Sequence, residues 1–175
     1  VRACQGELLN GTLDLTLAGP VRRTNYLLGY TVVMVLATAV LMLVTWCAML
    51  GFDWILQVPG TIGAGDAARA CVVGFVTFLT FGAIAMLVSV LLGRHGSAMF
   101  TTIGILVVMF ALSFAERAWD NDIVQALGPI SVFHWFDPGA TLGGVAVPVR
   151  NYVVPLIESI ACIAIACWYF ERRDL

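Results

Sequence analysis

The stretch YLLGYTVVMVLATAVLMLVTWCAML, residues 26–50, carries no charged side chain. A hydrocarbon core about 30 Å thick needs about 20 apolar residues at about 1.5 Å of rise each, so this run is long enough to cross a bilayer as one helix. An open strand of the same length would leave its backbone polar groups unpaired in lipid, which excludes β structure. Three further runs meet the same test, at residues 70–92, 98–115 and 152–170, the third run of the four being the shortest. Composition agrees: 61% of the 175 residues are hydrophobic and 11% charged, and the mean hydropathy is +0.95. That balance is far from a soluble domain's and predicts an all-α integral membrane protein with four transmembrane helices.

Orientation follows from arginine, since the sequence contains no lysine. With four spans both ends share a side. That side carries Arg2, Arg22, Arg23, Arg94, Arg172 and Arg173, whereas Arg69, Arg117 and Arg150 stand on the other among Asp53, Asp66, Glu116, Asp120, Asp122 and Asp137. Positive charge near span ends marks the cytoplasmic face, so both termini are expected in the cytoplasm of a multi-pass protein of the cell membrane. The chain starts at Val1 with no signal-peptide pattern and reads as the C-terminal part of something longer. No basic cluster is dense enough for nucleic acid.

Several motif-like features read as structure. Cys4, Cys47, Cys71, Cys162 and Cys167 form no C-x-x-C pair, though Cys47 and Cys71 lie near the same ends of adjacent spans, where a disulfide is conceivable. His95 and His134 have no second ligand at helical spacing, which argues against a metal site and for interfacial hydrogen bonding. Gly63-Ala64-Gly65 reads as external loop, because no strand precedes it. Asn10-Gly11-Thr12 is a glycosylation sequon on the cytoplasmic side and reads as a turn. No paired nucleophile and base lies within the spans, so no catalysis is expected. Glu158 is the one ionisable side chain well inside a run, and an intramembrane carboxylate is by default a functional candidate, here for a pathway or gate. The competing reading is that it snorkels or pairs with Arg150, two turns earlier.

Residues 116–150 are too long and apolar for a plain connection and contain Trp119, Phe133, Trp135 and Phe136. Aromatics gather at the headgroup level, so interfacial or re-entrant helices are expected here on the outer face. Gly139 and Gly143 make a small-residue face that could approach a span closely. At the other end, NGTLDLTLAGPVRR (residues 10–23) alternates like a strand over Thr12–Leu17, while Leu9, Leu13 and Leu17 also recur as one helical face. A lone strand would leave its edge unpaired, and Gly19-Pro20 is a good helix stop, which favours a short surface helix. Its acidic residues, Glu7 and Asp14, suit a protein partner better than an anionic leaflet.

These residues resemble those of the type 2 ABC exporter permeases, the membrane subunits of ATP-binding-cassette export systems. Glu7, Gly11, Thr12, Leu13, Asp14, Pro20 and Arg23 match that family's coupling-helix pattern. ISVFHWFDPGATL (residues 130–142) is similar to the stretch before its last span, and YFERRDL (residues 169–175) to its C-terminal ending. The resemblance implies that residues 1–25 form a cytoplasmic coupling helix and elbow, with Glu7, Leu9, Gly11, Thr12, Leu13, Asp14, Leu17 and Arg23 meeting an ATPase subunit. The four spans would be the third to sixth of six. It also implies a second permease half as partner, in a homodimer, a heterodimer or a tandem chain, beside membrane lipid. The sequence has no G-x-x-x-x-G-K-[ST] loop, so ATP and Mg are expected in the ATPase partner and no cofactor in this chain. A hydrophobic or amphipathic cargo fits the apolar span faces. The alternatives are a non-transporting membrane scaffold, or a secondary transporter or channel, which would need more intramembrane charge or an internal repeat.

Overall fold

The computed structural model describes residues 23–56, 63–92, 95–119 and 121–172. Helices α1 (Arg23–Leu56), α2 (Ala64–Leu92), α3 (His95–Ala118) and α6 (Arg150–Arg172) are each long and apolar enough to cross a membrane, and no strand occurs among the described residues. Between α3 and α6 lie two short helices, α4 (Asp122–Leu127) and α5 (Pro138–Leu142), separated by 3-10 turns at Gly128–Ile130 and Val132–His134. The four long helices alternate in direction. One end of the bundle therefore carries residues 119–150 and is called the capped end; the opposite end holds the start of α1 and the finish of α6.

The helices run past the apolar stretches that specify them. Once hydrogen bonding has nucleated in lipid, continuing the helix into the headgroup region satisfies more backbone than stopping. Thus α1 continues through Gly51–Leu56, and α2 begins six residues ahead of the expected start. Gly63-Ala64-Gly65 is accordingly not a loop. The Gly63 carbonyl accepts the amides of Asp66 (2.9 Å) and Ala67 (3.0 Å), and Ala64 and Gly65 form the first turn of α2. Asp66 there complements the positive end of the helix dipole and pairs with Arg69 at 3.1 Å.

Helix α2 is the axis of the bundle, with α1, α3, α5 and α6 packed around it. Two glycines, each about one turn from its middle, admit methionines from α1. A methyl group at Gly82 would collide with Met34, and one at Gly74 would stand 3.3 Å from Met42 Sδ. On the next face, Leu27 of α1, Val90 of α2 and Ala166 and Phe170 of α6 form one buried cluster. A second cluster joins Ile84 and Val88 of α2 to Ala98 of α3 and to Val132 of the capping segment. All four described cysteines, Cys47, Cys71, Cys162 and Cys167, are free thiols, so Cys47 and Cys71 are not bridged.

Candidate functional site

The segment from residue 121 to 149 turns back into the bundle rather than lying on it. Local chemistry cuts it into pieces: Asn121 accepts the Ile123 amide at 3.0 Å, Ser131 the Phe133 amide at 3.3 Å, and Asp137 the Ala140 amide at 3.1 Å, each side chain opening one short turn of helix. Pro129 and Pro138 stand at first or second positions, where no amide is needed. At the tip, Ser131 and Val132 are fully buried, and the Ser131 hydroxyl donates to the Met109 carbonyl of α3 at 2.7 Å. Phe133 follows, with its ring 5.0 Å from Phe81 of α2 and 5.5 Å from Phe110 of α3. The tip is thus a wedge between two spans at about the middle of α2. This is the re-entrant form of the expected segment. The small-residue face at Gly139 and Gly143 is not what packs: both glycines are exposed, and α5 rests on α2 through the buried Thr141.

The wedge is tied to both neighbouring span ends. Glu116, in the last turns of α3, accepts a hydrogen bond from His134 Nδ1 at 2.8 Å. Its carboxylate lies directly against Gly128, so that a side chain there would have to displace it. His134 stacks edge-on against Trp135 at 4.6 Å; the Trp135 indole donates to the Pro129 carbonyl at 3.1 Å, and the Arg150 guanidinium lies 5.8 Å over its ring. His134 therefore does form a hydrogen bond, at the capped end; the side chain of His95 lies outside the described residues. A chain of polar and aromatic contacts runs from the end of α3 to the start of α6 through the wedge.

Deeper in the bundle, α2 and α6 share a buried polar node. Pro155 has no amide to donate, and its carbonyl accepts the Ser159 hydroxyl at 2.8 Å and the Thr80 hydroxyl at 2.9 Å. Thr80 Oγ1 and Ser159 Oγ are themselves 2.9 Å apart. Both side chains are completely buried. Glu158, the neighbour of Ser159, stands about 100° around α6 from it and is half-buried. It forms no hydrogen bond or ion pair among the described residues, while Arg150 is engaged with Trp135. Of the coupling residues expected from the sequence, Glu7, Leu9, Gly11, Thr12, Leu13, Asp14 and Leu17 lie outside the described residues. Arg23 is the first residue of α1, and its side chain is likewise outside the description. Sequence reading missed the Thr80, Pro155 and Ser159 node and the pairing of Glu116 with His134. The proline inside an apolar run was the one available signal for the first.

Among the described residues no three His, Cys, Asp or Glu side chains converge as a metal site. What the arrangement provides is a set of membrane-crossing helices held at one end by a re-entrant wedge, which defines a multi-pass membrane protein. The ABC-2 family transporter protein model matches residues 1–175, the whole sequence, and the chain belongs to that family. Neither a curated protein nor a solved structure matches it.

Proposed function

We propose that this chain is a permease subunit of an ATP-driven exporter, moving a hydrophobic or amphipathic substrate across the cell membrane with ATP hydrolysed on a separate subunit or domain. The observation that carries the reading is membership of a transporter family over the full sequence, supported by the four membrane-crossing helices. The sequence has no phosphate-binding loop of its own, which is consistent with a chain that receives force rather than generates it. Residues 1–25 act as the coupling element, with both termini on the ATPase side. Leu13 and Leu17 fill apolar hollows of the ATPase, and Asp14 meets its polar rim. Closure of the ATPase pair then pulls on α1, a helix of 34 residues whose length extends about 50 Å. Two permease halves form the path, and Glu158 lines or gates it.

Truncating a well-buried interface anchor commonly costs about 1 to 2 kcal/mol or more, enough for a tenfold loss of affinity. Leu13→Ala with Leu17→Ala should therefore loosen the ATPase and abolish substrate-stimulated hydrolysis, while the four spans insert normally. Co-purification and hydrolysis measured in lipid check this. Normal association and normal stimulation would defeat the coupling assignment. For orientation, an impermeant thiol reagent in sealed cells should label a cysteine placed at Asn121 and leave one at Asp174 untouched.

A further inference from the structure

Most of the buried and half-buried Ser and Thr hydroxyls within the spans follow one rule. Thr31, Thr38, Thr45, Thr77, Thr102 and Ser159 each donate to the backbone carbonyl one turn earlier, the usual way to satisfy a hydroxyl inside an apolar helix. Ser113 of α3 departs from it. Its side chain is 4% exposed and has no hydrogen-bond partner among the described residues. The carbonyl one turn earlier belongs to Met109, and Ser131 of the wedge already donates to it at 2.7 Å. With the helical amide as its other donor, that carbonyl already accepts two hydrogen bonds, and Ser113 does not add a third, as happens at the Pro155 carbonyl. The Ser113 hydroxyl is thus buried without a partner among the described residues, and a buried donor left unmade costs more than one exposed to water.

This hydroxyl faces a cavity of about 350 Å³ between α3 and the wedge, a volume within the range of small-molecule sites. Phe110 and Phe114 of α3 and Phe133, Phe136 and Pro138 of the wedge form its apolar walls. Arg117 lines the rim at the end of the span, one turn beyond Ser113 on the same face of α3. Among the described residues Arg117 forms no ion pair. The nearby carboxylates are turned elsewhere: Glu116 to His134, and Asp137 to the Ala140 amide beside a separate cavity of about 140 Å³. Apolar walls, a single donor part-way down and a cation at headgroup level match one chemistry.

We propose that this cavity binds an amphipathic anion, with its apolar chain against the phenylalanines and its oxyanion head held by Arg117 and Ser113. A guanidinium on a carboxylate or phosphate gives a charge-assisted bond, stronger than a neutral one and strengthened further away from water. The head could belong to an anionic lipid of the surrounding leaflet or to a free amphiphile. The site does not depend on the transport reading, because binding is measured with no ATPase and no nucleotide present.

The test uses the full chain in phosphatidylcholine nanodiscs, titrated with oleate and, separately, with oleyl alcohol as its uncharged match. Oleate should bind saturably. Arg117→Gln should weaken it about tenfold without changing the alcohol, Arg117→Lys should retain most of the affinity, and Ser113→Ala should weaken oleate about fivefold. Equal oleate binding by the native chain, Arg117→Gln and Ser113→Ala would overturn the site, as would alcohol binding as tight as that of the acid. Repeating the titration with phosphatidylglycerol in the disc assigns the source, since competition identifies a lipid head and persistence of oleate binding a free amphiphile. Unchanged melting of each variant ensures that lost binding is read at the cavity and not through unfolding.

Discussion

Helices α1 and α2 are nearly indistinguishable as apolar sequences, yet 50% of the most apolar stretch of α2 is buried in the bundle against 6% for α1. Hydropathy measures the cost of leaving lipid for water. It does not say whether lipid or protein will cover the helix, because a lipid chain is as apolar as a leucine. What separates the two is small and polar residues. Helix α2 presents Gly74, Gly82, Thr77 and Thr80 to its neighbours, whereas α1 presents a belt of exposed aliphatic side chains such as Val33, Leu36 and Val40. Close backbone approach and a few interhelical hydrogen bonds therefore choose the central helix.

The sharpest way to break this comparison is to add bulk to both helices. Gly82→Leu should force Met34 out of its seat and lower stability by about 3 kcal/mol, the upper part of the usual range for overpacking. Ala37→Leu, on the exposed face of α1, adds comparable volume into lipid and should leave thermal unfolding unchanged. Combining Gly82→Leu with Met34→Ala should restore much of the loss. If both single substitutions melt alike, the bundle does not have α2 at its centre.

A smaller effect separates two threonines that look alike in sequence. Thr38 of α1 bonds only its own helix, donating to Met34 at 2.8 Å; Thr80 of α2 reaches across to Pro155 and Ser159. Interhelical hydrogen bonds in membranes contribute about 0.6 kcal/mol on average and at most about 1.7. Thr80→Val removes the interhelical bond to Pro155 and should cost about 0.6 to 1.7 kcal/mol, while Thr38→Val should be neutral. Equal melting temperatures for these two variants would remove the node from the account of stability.

The same contrast explains what could be read from the sequence. Four spans were legible because length and charge alone decide them, and the re-entrant segment because residues 116–150 are too apolar for a loop and too broken for a span. Helix ends were less legible, since hydropathy marks where lipid stops and not where hydrogen bonding stops, as Gly63–Gly65 illustrate. The partners within the bundle were hidden for a different reason. Ser113, Ser131 and Ser159 are all single serines in largely apolar stretches, and only the fold shows that Ser131 reaches the Met109 carbonyl while Ser113 is buried without a partner among the described residues. Gly139 and Gly143 carry the opposite lesson: a small-residue spacing with no neighbour packed against it.

The finest comparison lies between two adjacent residues of α6. Ser159 faces α2, is completely buried and is hydrogen-bonded; Glu158 stands about 100° around the helix on the flank, half-buried and without a bonded partner among the described residues. Ser159→Ala should therefore cost stability, about 0.6 kcal/mol because Thr80 keeps its bond to Pro155, with transport little changed. Glu158→Gln keeps the shape and loses the charge. With no bonded partner to release, it should leave melting within about 0.5 kcal/mol of the native chain. An intramembrane carboxylate is nonetheless expensive to place, and that cost is consistent with a role that stability does not measure. Under the proposed function Glu158→Gln should change transport in reconstituted vesicles without loosening assembly. Vesicles that transport normally with Glu158→Gln would reduce the residue to a passive acid on a lipid-facing flank. A large loss of stability would instead place a partner for Glu158 outside the described residues.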